Sequence, residues 1–169
     1  MRTFLLLALT LITLSTSLHA QTGAIEVTAP GNRQLKLAVE APRSQDPAPN
    51  AAAAREMGEV IAFDMNMSGN IIADAKEHPP LPGLIAFAEP DYAAWLAAGY
   101  DLLVRSEFSI KGDDLTVEFR LYDAVNRKLM TAKRYLGAAK DLRRFAHSFS
   151  DEILLALTGE RGCFTTHIV

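Results

Sequence analysis

The chain holds a single cysteine, Cys163, so no intramolecular disulfide can form and the fold must rest on its core. Its four histidines, His19, His78, His147 and His167, are scattered, too few for a zinc site without distant carboxylates. Neither GxGxxG nor GxxxxGK[ST] occurs, so there is no glycine loop to cradle a phosphate. The nucleophile elbow G-x-S-x-G is missing as well. A formal charge of −3 supplies no electrostatic reason to bind nucleic acid or an anionic membrane. The N-terminal apolar run, Phe4–Leu14, is too short to span a bilayer. These gaps point away from nucleotide-dependent and metal-dependent catalysis, and neither cofactor nor metal is expected.

What is present reads as one ordinary globular domain. Charged residues make up 22% and apolar residues 49% of 169 positions. A chain near that size buries about two-thirds of its unfolded surface and needs no staple. Arg2, the Phe4–Leu14 run and the small residue ending Leu18-His19-Ala20 form a signal-peptide pattern over residues 1–20. The mature chain is expected to begin at Gln21 in the cell envelope, with no further membrane insertion. A lone thiol in such an exported chain is expected to be buried and inert.

Taken in order, Gln21–Asn32 alternates weakly and ends in the turn signal Ala29-Pro30-Gly31-Asn32. It reads either as an edge strand or frayed terminus, or as an extended segment that adds to a partner's sheet. Gln34–Glu40 is a strand and Pro42–Pro49 a proline-rich loop. Helix Asn50–Ser68 starts on Asn50 and stops at Gly69, with Ala53, Met57, Val60, Ile61 and Met67 on its apolar face. Asp64 falls inside that face, where a carboxylate needs hydrogen-bond donors, expected to be backbone N–H groups or an arginine. Ile71–Ala73 is a short strand. Asp91–Ala98 is a two-turn helix burying Tyr92, Trp95 and Leu96 and ending at Gly99. Tyr100–Ile110, Leu115–Tyr122 and Lys128–Tyr135 then form an antiparallel meander, because their connections are only a few residues long.

The last helix carries the clearest signal. Leu142, Phe145, Ala146, Phe149, Ile153, Ala156 and Leu157 recur at helical spacing, and Gly159 ends the run. Arg144, His147 and Asp151 fall opposite that stripe, and Cys163-Phe164 begins a strand-like run. His147 and Asp151 are four apart and can touch, as a small hydrolase would need, but Ser148 and Ser150 point elsewhere around the helix. No catalytic residue is therefore assigned. The expected fold is α/β, a mixed β-sheet of about five strands with two to three helices in the order β-α-β-α-β-β-β-α.

Several stretches together resemble the amino-terminal domain of the TolB family of the Tol-Pal system. They are Asp64…Ser68-Gly69, Trp95…Gly99-Tyr100-Asp101-Leu102-Leu103-Val104 and Phe119-Arg120-Leu121-Tyr122-Asp123. The most specific is Arg144…His147…Asp151-Glu152…Leu157-Thr158-Gly159-Glu160…Gly162-Cys163-Phe164-Thr165-Thr166. The resemblance implies an anticodon-binding-domain-like fold and a non-enzymatic periplasmic connector, supporting envelope integrity and outer-membrane constriction at division. It implies that Gln21, Thr22, Gly23, Ala24, Ile25, Glu26, Val27 and Thr28 bind a TolA-like inner-membrane protein. This changes the reading of residues 21–33 from frayed terminus to partner-binding segment. It also implies a Pal-like lipoprotein partner, contacted mainly through a β-propeller that would follow the α/β domain of residues 34–160, with residues 161–169 leading into it. Asp64, Gly69, Trp95, Gly99, Arg144, His147, Asp151, Gly159, Gly162 and Phe164 are then structural or interdomain positions. A standalone envelope-assembly module of the same fold is the alternative expectation.

Overall fold

A computed structural model describes residues 34–48, 50–75 and 88–166. The signal-peptide pattern, the segment Gln21–Thr28 and the histidines His19, His78 and His167 lie outside them.

The described chain runs β1 (Leu35–Val39), β2 (Arg43–Ser44), α1 (Ala51–Met67), β3 (Ile71–Asp74), α2 (Tyr92–Ala97), β4 (Leu102–Lys111), β5 (Asp114–Asp123), β6 (Lys128–Ala138) and α3 (Leu142–Thr158). A single 3-10 turn, Ala139–Asp141, leads into α3. The expected order therefore gains one strand. Arg43–Ser44 lies inside the stretch read as a proline loop, and it pairs in parallel with Glu107–Phe108 of β4.

Among the described residues the six strands form one mixed sheet in the order β3-β1-β4-β5-β6, with β2 also on β4. β1 is parallel to both neighbours, whereas β4, β5 and β6 are antiparallel. Val39 pairs with Val104 and Arg43 with Glu107, so Glu40, Ala41 and Pro42 lie opposite only Arg105 and Ser106. That one extra residue is a bulge, and it separates β1 from β2.

Helices α1 and α3 cover one face of the sheet. Asn50 starts α1 by accepting from the Ala53 N–H at 3.0 Å, and Gly69 with φ +77° turns the chain away. The buried row of α1 includes Met57, Val60, Ile61 and Met65. Met65, not Met67, fills the last core position; steps of about 100° leave Met67 on the outer rim, where it is exposed. The apolar stripe of α3 is buried as its spacing predicts, from Leu142 through Phe149 to Leu157. An aromatic ladder binds α3 to the sheet. Phe149 stacks on Phe119 at 4.9 Å, and Tyr135 meets Phe119 edge-on and stacks on Phe145 at 5.3 Å.

Burial, reinforced by the Glu152 carboxylate, pushes the Tyr135 phenol up to about 12. The unfolded chain releases this proton near the ordinary tyrosine value of about 10. Between about pH 10 and 12 the folded state keeps a proton that the unfolded state has lost, so stability falls as pH rises. Tyr135→Phe is expected to flatten that decline. Urea midpoints of both proteins across this window test it, and parallel curves would contradict the assignment.

The other face carries the short helix α2. Asp91 caps it through the Ala94 N–H, and Gly99 with φ +88° ends it. Two turns bury only one row, so Trp95 is covered while Tyr92 is half-buried and Leu96 is exposed. Trp95 packs with Ala38, Leu103, Tyr122 and Ala124 in a second, smaller core.

Candidate functional site

The polar residues of α3 do not form a single free face. Arg144 is exposed at the first turn, 3.2 Å from Asp141, with its guanidinium 5.0 Å over the Phe145 ring. Its hydrogen bond holds the Asp141 carboxyl below the usual carboxylate range. His147, one turn on, points to α1, where its Nδ1 lies 2.8 Å from Oδ2 of the buried Asp64. The partner of Asp64 is therefore a histidine rather than backbone amides or an arginine. Arg143 and Glu56 add an exposed ion pair at 3.2 Å between the same helices.

Asp151 corrects the expectation most sharply. It is fully buried, and its partners come from the chain beyond α3 rather than from His147. The Phe164 N–H donates to Oδ1 at 2.8 Å, while the Thr165 N–H and hydroxyl donate to Oδ2 at 3.2 and 2.6 Å. Gly159, with φ +79°, reverses the chain so that residues 162–165 return across α3. A Cβ on Gly162 would sit 2.5 Å from Asp151 Oδ1 and 3.1 Å from both its Cα and Leu154 Cδ1. Only glycine lets the backbone pass there. Phe164 tucks its ring against the main core, whereas Phe164-Thr165 forms a turn, not the expected strand start. Cys163, between the two buried contacts, is exposed rather than buried. Arg161 is tied at 3.0 Å to Glu152, which also holds Lys133 at 2.9 Å. Carboxylates of α3 thus clamp the outgoing chain at two successive positions.

The hydroxyls nearest His147 in sequence are occupied. Ser148 Oγ donates to the Arg144 carbonyl, and Ser150 Oγ to that of Ala146. Among the described residues no group of three or more His, Cys, Asp or Glu side chains could hold a metal ion. Nor is any described helix long and apolar enough to cross a membrane.

Three positions do comparable work without having stood out as sites. Asn66 donates to the carbonyls of Ala62 and Ala73 and accepts from the Ala73 N–H, fixing β3 to the end of α1. Asp101 accepts from the Lys36 N–H and its own backbone joins β1 to Ala124. Arg105 binds Glu40 at 2.6 Å and the Ala88 carbonyl at 2.7 Å, and Glu40 also pairs with Arg43. Asp101 belongs to the Gly99–Val104 stretch; for Asn66 and Arg105 a polar residue beside a strand gave no distinguishing signal.

With this geometry in place, comparison with known proteins is specific. The sequence pattern of the TolB amino-terminal domain matches residues 23–130. The Tol-Pal system protein TolB of Geobacter sulfurreducens is 45% identical over 96% of this chain and 38% of its own length. That of Geobacter metallireducens is 42% identical over 99% of this chain and 39% of its own length. The chain thus spans about two-fifths of these relatives. The crystal structure of TolB from Acinetobacter baumannii superposes with a TM-score of 0.63 and 24% identity, over 79% of this chain and 30% of that one.

Proposed function

Because the chain belongs to the TolB family through its amino-terminal domain, we propose that it is an interaction component of a Tol-Pal-type envelope complex rather than a catalyst. The observation that carries this reading is 45% identity to a Tol-Pal system TolB over nearly the whole chain. The occupied hydroxyls of Ser148 and Ser150 and the engagement of His147 by Asp64 support a structural role for the polar residues of α3.

In this reading the mature protein works in the periplasm after loss of residues 1–20. Residues 21–33, with Gln21–Thr28 at their centre, add as a strand to a TolA-like inner-membrane protein. Residues 34–160 act as the mount, and the 161–169 segment leads towards whatever follows in a full-length relative, including the region that meets a Pal-like lipoprotein. Through these contacts the complex supports envelope integrity and outer-membrane constriction during division. Asp151, Gly159, Gly162 and Phe164 set the direction of the outgoing chain. Arg144, Gly69, Trp95 and Gly99 maintain the mount itself.

The test is calorimetric titration of the mature protein with the C-terminal domain of TolA from the same organism. Deleting residues 21–32 is expected to weaken binding about tenfold or more, roughly the scale of one lost strand pairing. Unchanged affinity after the deletion would remove this segment as the partner-binding element.

A further inference from the structure

The outer edge of β6 is unlike the rest of this acidic protein. Between Arg127 and Lys140 the chain carries five cations, Arg127, Lys128, Lys133, Arg134 and Lys140, and no carboxylate, although the whole protein has a formal charge of −3. β6 pairs with β5 from Lys128 to Ala138, and among the described residues no strand lies on its other side. A strand at the edge of a sheet leaves a row of N–H and C=O groups pointing outward, each able to pair with another chain.

The side chains flanking that row are placed as a recognition surface. Ala132, Arg134 and Leu136 lie opposite Arg120, Glu118 and Thr116, on the sheet face away from α3. Leu129, opposite Tyr122 past an irregularity in the register, shares that face. Leu136 is 70% exposed and Leu129 46%, a large apolar presentation for an edge strand. Arg134 lies exposed between them, and its cross-strand neighbour Glu118 is already held by Arg120 at 2.6 Å. Lys133 projects on the opposite face, where Glu152 holds it. Cations on an edge commonly prevent aggregation, and here they also exclude a second copy of this chain. Antiparallel pairing of two β6 strands about their centres would oppose Lys133 or Arg134 with its own counterpart, or the one with the other, and like charges directly opposed destabilise a strand pair. An acidic strand meets no such penalty.

We propose that the outer edge of β6 accepts an extended, acidic segment of a partner protein as an added strand. Its backbone pairs with β6, a carboxylate meets Arg134, and apolar residues on the same face cover Leu129 and Leu136. This surface is separate from residues 21–33, so the proposal stands independently of the TolA reading.

Fluorescence anisotropy of the full mature chain tests it directly, with a labelled peptide of about ten residues in which every second position carries valine, glutamate, valine and valine, so that both share one strand face, and threonine fills the positions between. Binding is expected, with a loss of about tenfold or more when alternate peptide nitrogens are methylated, because methylation removes the pairing donors and keeps the charge. Arg134→Glu and, separately, Leu136→Glu are expected to weaken binding similarly; both side chains are exposed, and circular dichroism verifies that each variant is folded. No binding, equal binding of the methylated peptide, or equal binding of the peptide with lysine in place of glutamate would overturn the proposal. So would sedimentation showing that the parent chain self-associates through this edge, with Arg134→Glu abolishing the dimer.

Discussion

Phe149→Ala is expected to cost about 3–5 kcal/mol of folding stability, the range for removing a buried aromatic side chain. Phe149 is fully buried and stacks at 4.9 Å on Phe119, which in turn meets Tyr135, so its loss opens a cavity beneath α3 and strips one rung from the aromatic ladder. The sheet beneath is continuous and α1 lies alongside, so little of that cavity can collapse. Against a total of about 5–15 kcal/mol for a domain, this is a large fraction. Urea denaturation followed by circular dichroism should show the midpoint falling by about 2 M for a slope of about 2 kcal/mol per molar. A loss under about 1 kcal/mol would mean that α3 is not anchored through this ring.

Asp151→Ala should have the second-largest effect, about 2–3 kcal/mol, and a different signature. Three donors lose a carboxylate acceptor, and hydrogen bonds to a charged group contribute about 1.5–3 kcal/mol each. The net cost is smaller than their sum because residues 162–165 can swing out and regain water. Amide exchange should therefore lose protection at Phe164 and Thr165 while Ala146, Phe149 and Ile153 stay protected. Gly162→Val approaches the same state from the other partner, because the new Cβ meets both the carboxylate and the main chain of Asp151. If Phe164 and Thr165 remain protected in Asp151→Ala, the carboxylate is not what holds the outgoing chain.

The difference between these two residues also marks how far the sequence could be read. Phe149 belongs to a periodic stripe, and periodicity reports what a helix lays on a sheet; the α3 core, the β4–β5–β6 meander and the glycine stops were legible for that reason. Asp151 sits off the stripe, and a helical projection assigns every such residue to solvent. Nothing in local spacing announces that residues thirteen and fourteen positions later will return and bury it. Cys163 was misplaced for the same reason, since its exposure follows from how the returning segment is seated. Asp64 was recognised as a carboxylate in need of a partner, but its partner lies 83 residues away on a helix whose rotation is set by the sheet. Met67 was misplaced because the apolar residues of α1 spread over more than one row. Strand β2 was hidden because two residues among prolines carry no alternation to read.

The extra residue between β1 and β2 has a consequence for parity. In an uninterrupted strand, positions 40 and 43 would project to opposite sides of the sheet, because side chains alternate. The insertion resets the count, so Arg43 stands beside Glu107 on the same side as Glu40, and the two can form their ion pair. Beyond the reset, Gln45 reaches Glu107 at 2.8 Å and Asp46 accepts from Ser109 at 2.7 Å. Were residues 40–42 to run on in a regular pleat, Arg43 would fall opposite Phe108 and its guanidinium would turn towards the apolar helix layer. One surplus residue keeps that charge out of the core.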